Sequence, residues 1–291
     1  MRSARHAAQA SISDIDQALH GNRTEACLLN LASGILSAAV LGDSAVEHYR
    51  GSFRNPMMFA SLGSAALSLL ANADGARSRP VLSAELRRGC HIASAGLGVV
   101  GTGFHIYNLL RRPGRINLND LFYGAPIGAP AALTLAGLIG IAAEGLREKR
   151  PWAKPKLSGL SGGRALAATT AIGLAGTIGE VALLHFRGAF QNPFMYVPVS
   201  LPPIAAGLMA EAALDPRPQP RPLTKFWLKL TAVIGLVGSA FHAYGISRAM
   251  GGWRNWRQNL VSGPPLPAPP SFTGLAVAGL AALRLIERGA K

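Results

Sequence analysis

Apolar runs of bilayer-crossing length alternate with short polar stretches along almost the whole chain. A helix needs ~20 mostly apolar residues to cross the hydrocarbon core. Eight stretches meet or approach that: 26–48, 55–73, 89–110, 121–143, 166–188, 193–213, 226–248 and 264–286. Helix is the expected form in each, because lipid offers no hydrogen-bond partner to an open backbone. Pro202 and Pro203 in the sixth stretch, and the proline-rich start of the eighth, are expected to kink those helices. The polar residues 1–25 lack an apolar core and are expected to be a cytoplasmic lead, with an amphipathic turn at Ile12 to Leu19, and no cleavable signal peptide.

Composition agrees with the pattern. Only 15% of residues are charged, against roughly 25% in soluble domains. The net charge of +15 invites a nucleic-acid reading, but the basic residues sit in short clusters between apolar runs and form no stripe with aromatics. Their distribution sets topology instead. Arg50, Arg54, Arg111, Arg112, Arg115, Arg187, Arg248, Arg254 and Arg257 fall on one side, and the other 20 of the 29 basic residues on the opposite side. The positive-inside rule then puts both termini in the cytoplasm of a multi-pass inner (plasma) membrane protein. Cys27 and Cys90 match no metal or redox spacing and are expected to act as small apolar residues.

The strongest feature is an internal repeat. Residues 39–59, AVLGDSAVEHYRGSFRNPMMF, align with 176–196, GTIGEVALLHFRGAFQNPFMY, with nine identities in 21 positions at an offset of 137. GFHIY at 103–107 and AFHAY at 240–244 share that offset, and NDLFYGAPIGAP at 119–130 faces QNLVSGPPLPAP at 258–269 at an offset of 139. The expected fold is therefore an all-α integral membrane protein with eight transmembrane helices in two four-helix repeats. Residues 1–25 form the lead, 26–146 the first repeat, 147–164 a cytoplasmic linker and 165–288 the second repeat. An even number of spans per copy makes the repeats parallel, related by an axis along the membrane normal.

Candidate chemistry lies at repeat-equivalent positions. His48 pairs with His185 and His105 with His242, all in the outer third of expected spans, whereas His6, His20 and His91 stand apart from the pattern. Ionisable groups inside spans mark functional sites. Two histidines on two helices suit axial ligation of a b-type haem, and the alternative is an interfacial histidine bonded to a loop carbonyl. Gly98 and Gly101 lie on the face of His105, as Gly235 and Gly238 lie on that of His242, at i−7 and i−4. They form either a groove for a porphyrin or a close helix contact. Arg50 and Arg187 are placed to meet propionates or to reach the interface. Asn55-Pro56 and Asn192-Pro193 read as helix starts, and Tyr107 and Tyr244 as interfacial anchors.

Asp43 and Glu180 occupy matching places within the first and fifth spans. With the histidines they offer each half two imidazoles and a carboxylate, a possible non-haem metal set. The functions that follow are three. The first is a haem b electron-transfer subunit, with quinone and a periplasmic redox partner. The second is a proton- or metal-ion-coupled transporter or channel. The third is a membrane anchor for a periplasmic enzyme. Phosphate-loop, zinc-protease and haem-c attachment patterns are absent from the sequence.

Overall fold

The computed structural model describes residues 2–111, 126–148, 156–157 and 160–288. The expected start of the fourth span at 121, Arg112, Arg115 and half of the 147–164 linker lie outside the described residues. The described chain is almost entirely helical. Its helices are α1 (Arg2–Arg50), α2 (Met57–Gly75), α3 (Ala84–Leu110), α4 (Gly128–Glu148), α5 (Gly162–Arg187), α6 (Val197–Ser200), α7 (Pro202–Leu214), α8 (Pro222–Arg248), α9 (Trp256–Ser262) and α10 (Pro270–Arg288). Two-residue strands β1 (Lys156–Leu157) and β2 (Leu160–Ser161) pair antiparallel just before α5.

Six segments are long and apolar enough to cross a membrane among the described residues: Asn22–Arg50, Gly128–Glu148, Gly162–Arg187, Pro193–Leu214, Pro222–Arg248 and Pro270–Arg288. Helices also form over the expected second and third spans, but α2 carries Ser61, Ser64, Ser68, Asn72 and Asp74, and α3 carries Glu85, Arg87, Arg88 and His91. These residues lower their hydropathy, and several are spent inside the bundle. Large apolar side chains cover much of the exterior: Leu70, Val99, Ile172 and Leu236 are all exposed. Lipid is the solvent that suits such a surface.

The sequence and the helices differ at some ends. α1 runs unbroken from Arg2, so no turn separates a lead from the first span. The sixth stretch breaks at Leu201, between a 3-10 turn with α6 and the longer α7, where Pro202 and Pro203 remove backbone donors. The prolines before α10 do not kink it. They exclude helix, and α10 starts only at Pro270. Asn55 and Asn192 do serve as starts, each side-chain oxygen accepting from the backbone N–H two residues on, at 2.9 and 3.0 Å.

Packing follows chain order. α1 lies against α2 and α4, α2 against α3, and α3 against α4. In the later part α5 packs on α7 and α10, and α8 on both α7 and α10. α1 also crosses onto α10, and α4 touches α5. The main core sits at that junction: Leu29, Leu36, Ile139, Leu174, Met209, Leu228, Phe272 and Leu275 are buried there. Alanines and glycines let these helices approach closely. At the end bearing the chain termini, Arg88 pairs with Glu148 and Lys225 with Glu287, again at offsets of 137 and 139.

Candidate functional site

The two turns that follow α1 and α5 are built alike. Ser52 and Phe53 hold φ of 56° and 47°, and Ala189 and Phe190 hold 55° and 45°. Left-handed backbone is unfavourable for bulky residues and persists only where surroundings enforce it. Here Phe53 N–H donates to His48 O and Phe190 N–H to His185 O, both at 3.0 Å. The Phe53 ring meets the edge of His48 at 6.2 Å and stacks on Phe59 at 4.5 Å. Phe190 meets His185 at 6.1 Å and stacks on Tyr196 at 4.5 Å.

All four repeat-related histidines are tied by Nδ1. His48 Nδ1 lies 3.0 Å from Met58 O, and His185 Nδ1 lies 2.7 Å from Met195 O. His105 bonds Pro126 O, and His242 bonds Pro265 O at 2.8 Å. A carbonyl only accepts, so each Nδ1 carries a hydrogen, and in the neutral ring Nε2 then bears the lone pair. Within each repeat the two rings lie within electrostatic reach, His48 of His105 and His185 of His242.

The glycines below His105 and His242 are filled from the neighbouring helix. A side chain at Gly98 would strike Thr134 and one at Gly101 would strike Pro130. At Gly235 and Gly238 the obstacles are Thr273 and Pro269. Of the two uses open to these four residues, close helix contact is the one the fold makes, and no porphyrin groove lies against them. Arg50 pairs with Glu47 at 2.6 Å, one turn back on α1, and Arg187 is exposed at the end of α5. Phe241 stacks on Phe194 at 4.8 Å, while Phe104, Tyr107 and Tyr244 are exposed. The set of two imidazoles and a carboxylate is not assembled: among the described residues no group of three or more His, Cys, Asp or Glu is arranged to hold a metal ion. The three expected ligands of each half, on α1 and α3 or on α5 and α8, are therefore not gathered at one point.

The two span carboxylates come near each other. Asp43 on α1 and Glu180 on α5 lie within electrostatic reach of each other, with Glu47 beside them. Both are half-buried. Glu180 accepts the backbone N–H of Gly128, and its carboxylate fills the space that a side chain at residue 128 would take. Gly42, next to Asp43, packs on Pro267, which matches Gly128 at an offset of 139. Glu180 thus reaches the start of the last helix of the first repeat, and the neighbour of Asp43 packs just before the last helix of the second.

Sequence reasoning passed over a second constellation. Arg87 is buried and bridges Asp74 at 3.2 Å and Glu144 at 2.7 Å. Asp74 also accepts from the backbone N–H groups of Val81 and Leu82, at 2.8 and 3.0 Å. His91 lies one turn beyond Arg87 on α3, fully buried, with its ring against Gly140. The available signal was the spacing of Arg87 and His91, which puts both on one face of α3. Compared with known proteins, the chain matches no family model, no curated protein and no solved structure at a significant level.

Proposed function

We propose that this is an eight-span inner-membrane protein made of two parallel four-helix repeats, with both termini cytoplasmic, that couples movement of a proton or small cation to its acidic site. The observation that carries this reading is that Asp43 and Glu180 lie within electrostatic reach of each other. They are the same position of the repeat, on two different helices, within apolar segments. Carboxylates inside spans are expensive to keep and mark ion or proton pathways. Two that share one site do not both stay ionised easily, so a shared proton is the natural occupant. A metal ion needs a fuller ligand set than these two acids supply. The basic loops support the orientation. The test is proton uptake into proteoliposomes under an imposed potential. Flux above empty vesicles is expected for the wild type and loss of that flux for Asp43→Asn and for Glu180→Gln. Unchanged flux in both variants removes the acids from the path.

A second reading, a haem b electron-transfer subunit, is favoured by the histidines alone. Each Nε2 is left free by an Nδ1–H bond to carbonyl, the arrangement that prepares an imidazole for a metal. Arg50 and Arg187 would then lie near propionates. The filled glycine faces count against it. Purified protein expressed with ample haem supply decides: a reduced-minus-oxidised α band that disappears in His105→Ala supports it, and no band eliminates it.

A further inference from the structure

A line of buried polar side chains runs through the first repeat. Asn72 donates to Ser33 at 2.8 Å, Ser37 to Ser68 at 3.0 Å and Ser64 to Ser94 at 3.0 Å. Ser33 in turn donates to Ala136 O at 2.7 Å. At the termini-bearing end stand Asp74, Arg87 and Glu144. All are buried. One turn towards the histidine turns, each helix supplies an apolar residue: Val40 after Ser37, Ala65 before Ser68, Leu97 after Ser94 and Leu133 before Ala136. These pack together as a separate cluster. An apolar cluster therefore adjoins the polar line on that side, at the level of the Ser64–Ser94 pair, and an ion cluster ends it on the other.

Several buried groups of the first repeat keep unused capacity. Both ring nitrogens of His91 are fully buried without a protein partner, as are Glu144 Oε1, Asn30 Oδ1 and Asn72 Oδ1. Leaving such groups unpaired is costly, and bound water is what satisfies them in polar interiors. The second repeat shows what the same scaffold does without them. At an offset of 137, Asn30, Ser37, Ser64, Ser68, Asn72 and His91 become Ala167, Leu174, Leu201, Ala205, Met209 and Leu228. Glu144 becomes Leu283 at an offset of 139. The seat of the imidazole is even preserved. A side chain at Gly140 would come within 2.5 Å of the His91 ring, and one at the matching Gly279 within 2.9 Å of Leu228. Thr170, Thr224 and Thr231 are polar exceptions; Thr231 returns its hydroxyl to Trp227 O of its own helix at 2.8 Å, and Thr170 Oγ1 is a single buried hydroxyl without a protein partner.

We propose that the first repeat encloses a hydrated proton-loading site centred on His91, and that the matching core of the second repeat is dry. An imidazole nitrogen takes a proton from hydronium, leaving water and imidazolium, and returns it by the reverse step. The charged groups acting on the ring are Glu144 from α4 and Arg87 from α3 itself. Asp74 of α2 acts through Arg87, and α1 carries no charge between Glu25 and Asp43. The site's purpose rests on the proton-transport reading, but its hydration does not.

Radiolytic hydroxyl-radical labelling of the purified wild-type protein tests hydration without a mutation, because radicals form at bound water. Met250 is exposed and reports dose, while Met209 is buried at the position matching Asn72. Oxidation of His91 and Met250 with Met209 spared is the expected result. Protection of His91, or equal labelling of His91 and Met209, overturns the proposal. His91→Leu, the side chain already accepted beside Gly279, should reduce proteoliposome proton flux to that of empty vesicles while eluting as the wild type. Full flux in that variant removes the proton role. Labelled His91 with no wild-type flux keeps the hydrated site and ends the transport reading. Protected His91 with intact flux does the opposite.

Discussion

At the turn after α1, Phe53 N–H donates to His48 O and Asn55 caps the next helix. At the turn after α5, Phe190 N–H donates to His185 O at the same 3.0 Å and Asn192 does the capping. Further along the same two helices, at Ser37 and Leu174, the likeness ends. Ser37 on α1 donates to Ser68, while the matching Leu174 on α5 sits in the apolar core. The difference teaches which residues serve the scaffold. Features kept in both places, the histidine anchors, the left-handed Phe, the glycine–threonine contacts, are what the helical unit needs to close. Features present in one place only, Arg87, His91, Glu144 and the serine–asparagine line, are expensive to bury and add nothing that the second repeat lacks for folding.

The largest expected asymmetry is at the buried ion cluster. Arg87→Ala leaves two buried carboxylates without their cation and should cost about 3–5 kcal/mol of stability. Arg221→Ala should cost only about 1 kcal/mol, because of its two partners Glu211 is 56% exposed and Asp215 keeps its bonds from Arg217. Thermal unfolding in detergent ranks them, and equal losses would mean the first cluster is not isolated from water. Next come the shared contacts. Gly98→Ala and Gly235→Ala should each cost about 1–3 kcal/mol by overpacking against Thr134 and Thr273. The two should match, and a clear inequality would break the equivalence of the halves. Smaller still, His48→Ala and His185→Ala should each lose about 1 kcal/mol with the Nδ1–carbonyl bond, and should expose their turns equally to protease.

The smallest effect concerns the loop after α7. Hydrogen bonds from the Arg217 side chain and backbone hold the Asp215 carboxyl below the usual aspartate range, with Arg221 adding to them. A depressed value means that the contribution is complete above the unfolded-state pKa and is lost as pH falls through the folded one. Limited proteolysis of this loop should therefore be unchanged from neutral to mildly acidic pH and rise only in strong acid. Asp215→Asn should remove that rise.

The apolar periods made the helices legible, and the equal offsets pointed to the turns after α1 and α5 that are built alike. They even identified histidines that do share a region of the bundle, since identical spacing from a shared helix end puts them at one level. Two things were hidden. Glycines spaced i−4 and i−7 look the same whether a ligand or a helix lies against them, and only the arrival of Pro130 and Thr134 decides it. The polar line was hidden because a serine in an apolar run reads as a small residue. Its partners lie far away in sequence, as Ser33 does from Ala136 and Arg87 from Glu144. The acids are intermediate. Their matching positions were visible, but that they approach each other depends on how α1 and α5 cross the junction.

Whether α2 and α3 cross the membrane decides whether equivalent residues of the two repeats share one side, and so whether the comparison holds. Single cysteines at exposed positions, placed after Cys27 and Cys90 are replaced by Ser, answer this with a membrane-impermeant thiol reagent on intact cells. Eight spans predict that Arg54→Cys and Arg254→Cys are labelled from outside, and that Ser78→Cys and Pro218→Cys are labelled only after permeabilisation. Labelling of Ser78→Cys from the same side as Arg54→Cys would leave six spans and contradict the parallel repeat.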